Sequence, residues 1–150
     1  MAEKTALDRT ITVGSLEELE RFVTDLSLKF STRQIVLFEG PLAAGKTTSI
    51  GLIVKGRGGV NTSSPTFAIH HVYEAKIGEI DHVDLYRLEN LQDLESTGFW
   101  DIFGKKSGLV LIEWSDRLAG DWFPVGWDVL KLVFTVQGDQ SRAIQVSSVR

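Results

Sequence analysis

An α/β fold, a mixed sheet with helices packed on it and antiparallel strands at its edges, is predicted by three observations. The β-branched run Gln34-Ile35-Val36-Leu37-Phe38 leads into Gly40-Pro41-Leu42-Ala43-Ala44-Gly45-Lys46-Thr47, which fits G-x-x-x-x-G-K-[ST]. Strand, glycine-bearing loop and helix in that order make the P-loop unit of NTPase-like folds. A second apolar run, Leu109-Val110-Leu111-Ile112, shows no alternation and reads as a strand buried on both faces. Strand-like stretches on either side of Glu74 to Gly78 are joined too closely for a crossover, which suits an antiparallel pair.

In chain order, Thr10-Ile11-Thr12-Val13 is a short strand, and Ser15-Leu16-Glu17-Glu18 is a capping box that opens a helix. Leu16, Leu19, Phe22, Val23, Leu26 and Phe30 recur along that segment at helical spacing. The strand, phosphate loop and helix run from about Gln34 to Val54. Gly56 to Ser64, with Gly56, Gly58, Gly59 and three consecutive hydroxyl residues, reads as a mobile loop. Phe67 to Tyr73 and Glu79 to Leu85 are strand-like, and Leu91, Leu94 and Phe99 belong to helical turns. After the buried strand at 109–112, strands near Val129 to Val136 and Ala143 to Val149 complete the sheet.

The 150 residues are enough to bury one core and few for two, so residues 1–150 are read as one domain. An apolar share of 43% and a charged share of 24% exclude disordered and fibrous classes. The start has no signal-peptide core and no apolar run is long enough for a membrane span, so a cytoplasmic protein is expected. The chain has no cysteine, which removes disulfides, thiolate metal sites and cysteine nucleophiles. A net charge of −4 argues against a broad nucleic-acid-binding surface.

The phosphate-loop motif carries the chemistry. Consecutive backbone N–H groups of such a loop wrap a phosphate, and the positive end of the following helix adds to the attraction. Lys46 is expected to reach the β/γ-phosphates and Thr47 to hold Mg²⁺. A glycine-containing surface turn is the plain alternative, and the preceding strand disfavours it. Hydrolysis also needs a carboxylate for metal or water at a strand end beside the loop. Glu113, after Leu109–Ile112, has the pattern of a Walker B acid, and Asp84, at the end of Ile80–Asp84, is the second candidate. His82 and Asp84 share one strand face, so a His82–Asp84 pair is geometrically reasonable. His70 and His71 point to opposite faces and are read as structural. Arg87 and Arg117 are read as surface salt-bridge residues. Trp114, Trp122 and Trp127 are read as core or interface residues rather than base-stacking ones.

The phosphate loop through Thr48, Ser64-Pro65-Thr66-Phe67, His82-Val83-Asp84-Leu85-Tyr86-Arg87-Leu88 and Ile112-Glu113-Trp114 together resemble the bacterial TsaE (YjeE) family, the small ATPases of the tRNA threonylcarbamoyladenosine pathway. The resemblance spans most of the chain, with the four motifs in the family's order, and Leu94-Glu95 with Gly98 and Phe103 extends it. It implies ATP and Mg²⁺ as cofactors, with Gly40, Pro41, Leu42, Ala43, Ala44, Gly45, Lys46, Thr47, Thr48 and Thr66 in contact with nucleotide. Thr47 and Glu113 would hold the metal, Lys46, Asp84 and Glu113 would serve catalysis, and Thr66 would sense the γ-phosphate side. The implied partners are the transferase subunit (TsaD) and its paralogue (TsaB), with hydrolysis resetting the complex between cycles and tRNA contacted only indirectly. The family commonly reads Gly-Asp-Leu-Gly-Ala-Gly-Lys-Thr, whereas this chain has Pro41, which lacks an N–H, and Ala43, which resists positive φ; both bear on phosphate affinity.

Three other readings compete. A small-molecule kinase would share the loop, but no arginine-rich lid segment is visible. A GTPase lacks its Asn-Lys-x-Asp segment here. A nucleotide-gated binding subunit without useful catalysis is the third.

Overall fold

Residues 8–61, 70–76, 78–86, 94, 98–118 and 122–149 are described in the computed structural model of the chain. Eight strands, β1 (Arg9–Val13), β2 (Arg33–Glu39), β3 (Val60–Asn61), β4 (His70–Ala75), β5 (Gly78–Asp84), β6 (Gly108–Glu113), β7 (Asp128–Val136) and β8 (Arg142–Ser148), form one sheet. Their order is β1-β8-β7-β2-β6-β5-β4-β3. The middle four, β7, β2, β6 and β5, are mutually parallel, and the outer pairs are antiparallel, as expected from the sequence.

Burial explains why β2 and β6 read as unbroken apolar runs. Val36 and Phe38 of β2 face a core shared with helices α1 (Leu16–Ser27) and α2 (Lys46–Gly56), while Ile35 and Leu37 face a second core. Phe99, Ile102, Phe103 and Trp127 fill that second core, and the Trp127 indole donates to the Phe103 carbonyl at 3.1 Å. Trp122 packs on Phe99 and Phe103, and Trp114 also packs against this core, so all three tryptophans expected to be structural touch it.

Ser15 caps α1 by accepting from the Glu18 N–H at 3.1 Å, but the Glu18 carboxylate accepts from Gly14 rather than from Ser15 itself. Helix α1 ends at Ser27, so Phe30 packs on the core from the following turn, and Leu16 at its start is 61% exposed. Gly56 to Ser64 is corrected in part, because Val60 and Asn61 pair with β4 at the sheet edge. The cause is local: Gly58 takes φ 70° and the Gly59 N–H bonds the Val54 carbonyl, a Schellman ending that lays the chain along β4. The Ser64–Phe67 segment with Thr66, and Arg87, Leu88, Leu91 and Glu95, lie outside the described residues, as does the Arg117 side chain.

Candidate functional site

The carboxyl ends of the parallel strands are where the expected residues meet. In open α/β sheets, groups at these ends project into a common crevice. Here β2 delivers the loop Gly40–Gly45, while Asp84 ends β5 and Glu113 ends β6 as partners in register.

The loop's backbone is set by close approach. Gly40 has φ 141°, and a Cβ there would stand 2.7 Å from the Phe134 carbonyl oxygen of β7, so only glycine fits. Gly45 takes φ 105° and opens α2, whose first N–H groups face the cleft unpaired within the helix, ready for an anion. Ala43 adopts φ 61°, a left-handed conformation that alanine resists. Arg142 donates to the Ala43 carbonyl at 3.3 Å and to Gly138 and Ser141 at 3.1 and 3.0 Å, tying the β7–β8 hairpin to the loop. Ala43→Gly is therefore expected to stabilise the protein by about 0.5–1 kcal/mol in urea melts.

Lys46 donates to the carbonyls of Gly40 and Pro41, the latter at 3.0 Å, and its ammonium stands 3.6 Å from the centre of the Trp114 ring. Lys46 and Glu113 are both buried, with 4% and 2% exposure. Burial pushes the Lys46 ammonium below the usual lysine range, partly offset by Glu113, Asp116 and Asp84.

Glu113 is held at both oxygens. Oε1 accepts from the Thr47 hydroxyl at 2.6 Å, and Oε2 lies 2.7 Å from His82 Nε2. Burial alone would raise its carboxyl, but hydrogen bonds from His82 and Thr47, with the charges of His82 and Lys46, outweigh it and hold the group below the usual range. His82 is thus paired with Glu113, the diagonal neighbour on β6 that stands in register with Asp84, and not with Asp84 itself. Asp84 instead accepts from the Tyr86 N–H at 2.9 Å, with its side chain on the cleft. An oxygen-donor pair such as Thr47 and Glu113, beside a cationic phosphate loop, fits Mg²⁺, which takes one or two protein oxygens and fills its remaining positions with phosphate and water.

Sequence reasoning missed the part played by Trp114. It follows Glu113 in the left-handed region at φ 61°, ψ 39°, a rare conformation for a bulky residue. That turn places its ring over Lys46 and against Tyr86, with ring centroids 5.0 Å apart. Arg142 was missed as well, since nothing in the final strands signals that their hairpin reaches the loop.

His70 and His71 do point to opposite faces. His70 Nε2 lies 2.7 Å from Asp81, whose other oxygen accepts from Lys105 at 2.7 Å, and the His71 ring sits 5.9 Å from that of His82. Burial and the neighbouring His82 and His70 hold His71 below the usual histidine range. Burial alone would lower the Lys105 ammonium, but its hydrogen bonds to Asp81 and Glu79 raise it above the usual lysine range. Its stabilisation is therefore complete below pH ~10.5, the unfolded lysine value, and is lost as pH rises through the raised folded value. Lys105→Met is expected to cost about 1–2 kcal/mol at neutral pH, discounted for partial exposure, and the gap to the unaltered protein should close only in strong alkali when melts are followed against pH.

The phosphate loop, Asp84, Glu113, Trp114 and the hairpin with Arg142 line one cleft of about 640 Å³. Leu42 and Thr48 border it from the two ends of the loop region, and Thr66 lies outside the described residues. A sequence model of the family described as "Threonylcarbamoyl adenosine biosynthesis protein TsaE" matches residues 13–144. The tRNA threonylcarbamoyladenosine biosynthesis protein TsaE of Rickettsia conorii is 38% identical over 107 residues, 70% of this chain and 60% of that protein. The protein of the same name from Treponema pallidum is 31% identical over 109 residues, 71% of this chain and 78% of that one. The crystal structure of Bacillus subtilus YdiB superposes with a TM-score of 0.66 at 24% identity, covering 95% of this chain and 86% of that one, a likeness in fold.

Proposed function

This chain belongs to the TsaE family of threonylcarbamoyl adenosine biosynthesis proteins, and from that premise we propose that it is a Mg²⁺-dependent P-loop ATPase, the nucleotide-driven subunit of the machinery that forms N6-threonylcarbamoyladenosine in tRNA. The observation that carries the reading is the buried Glu113 joined to Thr47 at the floor of the cleft that holds Lys46. In this reading the N–H groups of Leu42 to Thr47 wrap the phosphates, and Pro41 contributes none. The Lys46 ammonium exchanges its carbonyl contacts for β/γ-phosphate oxygens. Thr47 and Glu113 hold the metal, His82 fixing the orientation of the carboxylate, as a histidine behind a metal-bound acid does. Mg²⁺ held there would supply positive charge to offset the charge that develops during hydrolysis. Asp84 orients water, and Thr66 contacts the γ-phosphate side.

Hydrolysis here serves other subunits. The threonylcarbamoyl transfer takes place on the transferase subunit TsaD with its paralogue TsaB, and nucleotide turnover in this chain resets them. The net charge of −4 supports indirect contact with tRNA. Within the described residues no helix is long and apolar enough to cross a membrane; cytoplasmic action is part of the proposal. Reconstituted tRNA modification tests it. Lys46→Ala should support at most one round of product per transferase, whereas sustained turnover with that variant would reject the resetting role.

A further inference from the structure

The end of the sheet opposite the phosphate loop holds a second cavity, of about 620 Å³, between the C-terminal ends of α1 and α2 and the starts of β5 and β6. Its volume falls in the range of small-molecule sites, and its walls are mainly apolar, with Phe30 and Leu52 prominent among them. Leu28 at its rim is 82% exposed. Arg57, directly after α2, supplies a cation to the lining. Its guanidinium carbon stands 5.5 Å from the Phe30 ring centre, and its Nε is buried with no hydrogen-bond partner.

Among the described residues neither Arg57 nor Lys76, the other cation of the lining, forms an ion pair. Glu79, the carboxylate in the lining, is already paired with Lys105 at 2.9 Å. A cation set among apolar walls without a partner anion is costly, and this one cannot shed its charge near neutral pH. Burial lowers the Arg57 guanidinium from its usual value with no anion to offset it. The complementary chemistry is an anion placed beside the Arg57 guanidinium and Lys76, carried on an apolar body.

We propose that this cavity binds a small amphiphilic carboxylate, with its charged group on Arg57 and its apolar part against Phe30 and Leu52. The site lies at the far end of the helix that carries Lys46 and Thr47, so it is separate from the phosphate loop and stands whether or not the ATPase reading holds.

Calorimetric titration of the whole protein with decanoate and with decanol tests the assignment, alongside Arg57→Gln. Decanoate should bind at least tenfold more tightly than decanol, and Arg57→Gln should bring the two within about twofold. Backbone amide shifts on adding decanoate should centre on residues 52–57 and 75–80 and leave residues 40–47 still. Equal affinity for decanoate and decanol, no binding of decanoate, or shifts centred on the phosphate loop would each overturn it. So would an acidic peptide that binds at Arg57 where decanoate does not. The comparison of the two probes on the unaltered protein decides the matter even if Arg57→Gln does not fold.

Discussion

Lys46→Ala is expected to lower Mg²⁺-ATP hydrolysis by about 10²–10³-fold, the scale of losing one charged stabiliser of a developing anion. The ammonium is aimed by its surroundings: two loop carbonyls accept from it and the Trp114 ring lies beneath it. Its burial also has a thermodynamic signature. A lysine whose folded pKa is depressed destabilises the fold at neutral pH, and that cost disappears as pH rises through the unfolded value of about 10.5. Lys46→Met keeps the aliphatic stem and removes the charge, so it should melt at or above the unaltered protein at pH 7 while failing to hydrolyse. Single-turnover hydrolysis and thermal melts on the same preparations check both halves.

Glu113→Ala is expected to act in the opposite way on stability. It leaves the Thr47 hydroxyl and His82 without their acceptor and Lys46 without its strongest counter-charge, so about 2–4 kcal/mol should be lost along with hydrolysis. Glu113→Gln retains an oxygen for Thr47 and should lose no more than about 1.5 kcal/mol, yet remain at least about 100-fold impaired because the charge proposed to hold the metal is gone. The carboxyl is held below the usual range, so its contribution is complete above the unfolded carboxylate value and is lost as pH falls through the lower folded one. The stability gap between the unaltered protein and Glu113→Gln should therefore narrow in acid, below pH ~4.5. Urea melts across pH measure it.

The sheet was largely legible because its signals are local. An apolar run without alternation means burial on both faces, and β2 and β6 are the parallel strands at the centre. A capping box and a G-x-x-x-x-G-K-[ST] loop each place a helix start to within a residue or two, as at Leu16 and Lys46. Features that depend on which strands become neighbours could not be read this way. His82 looked like a partner for Asp84 because the two share a face of one strand, whereas its partner comes from β6, thirty-one positions away. Arg142 reaches the phosphate loop only because β7 lies beside β2 and brings the β7–β8 hairpin to the loop. The burial of Lys46 and Glu113 could not be read this way either, because charge by itself points to exposure, whereas a site at the ends of buried strands takes charges inside and pairs them there. At Ala43 the family's preference for glycine already drew attention to positive φ, and the residue does take φ 61°.

The central claim is that this cleft hydrolyses ATP on behalf of the transferase machinery, and the most direct test is Mg²⁺-ATP hydrolysis by the purified protein, alone and with TsaD and TsaB added. Slow hydrolysis alone, strongly stimulated by the two partners and lost in Lys46→Ala, is the predicted result. Hydrolysis indifferent to those partners, or unchanged in Lys46→Ala, would contradict it.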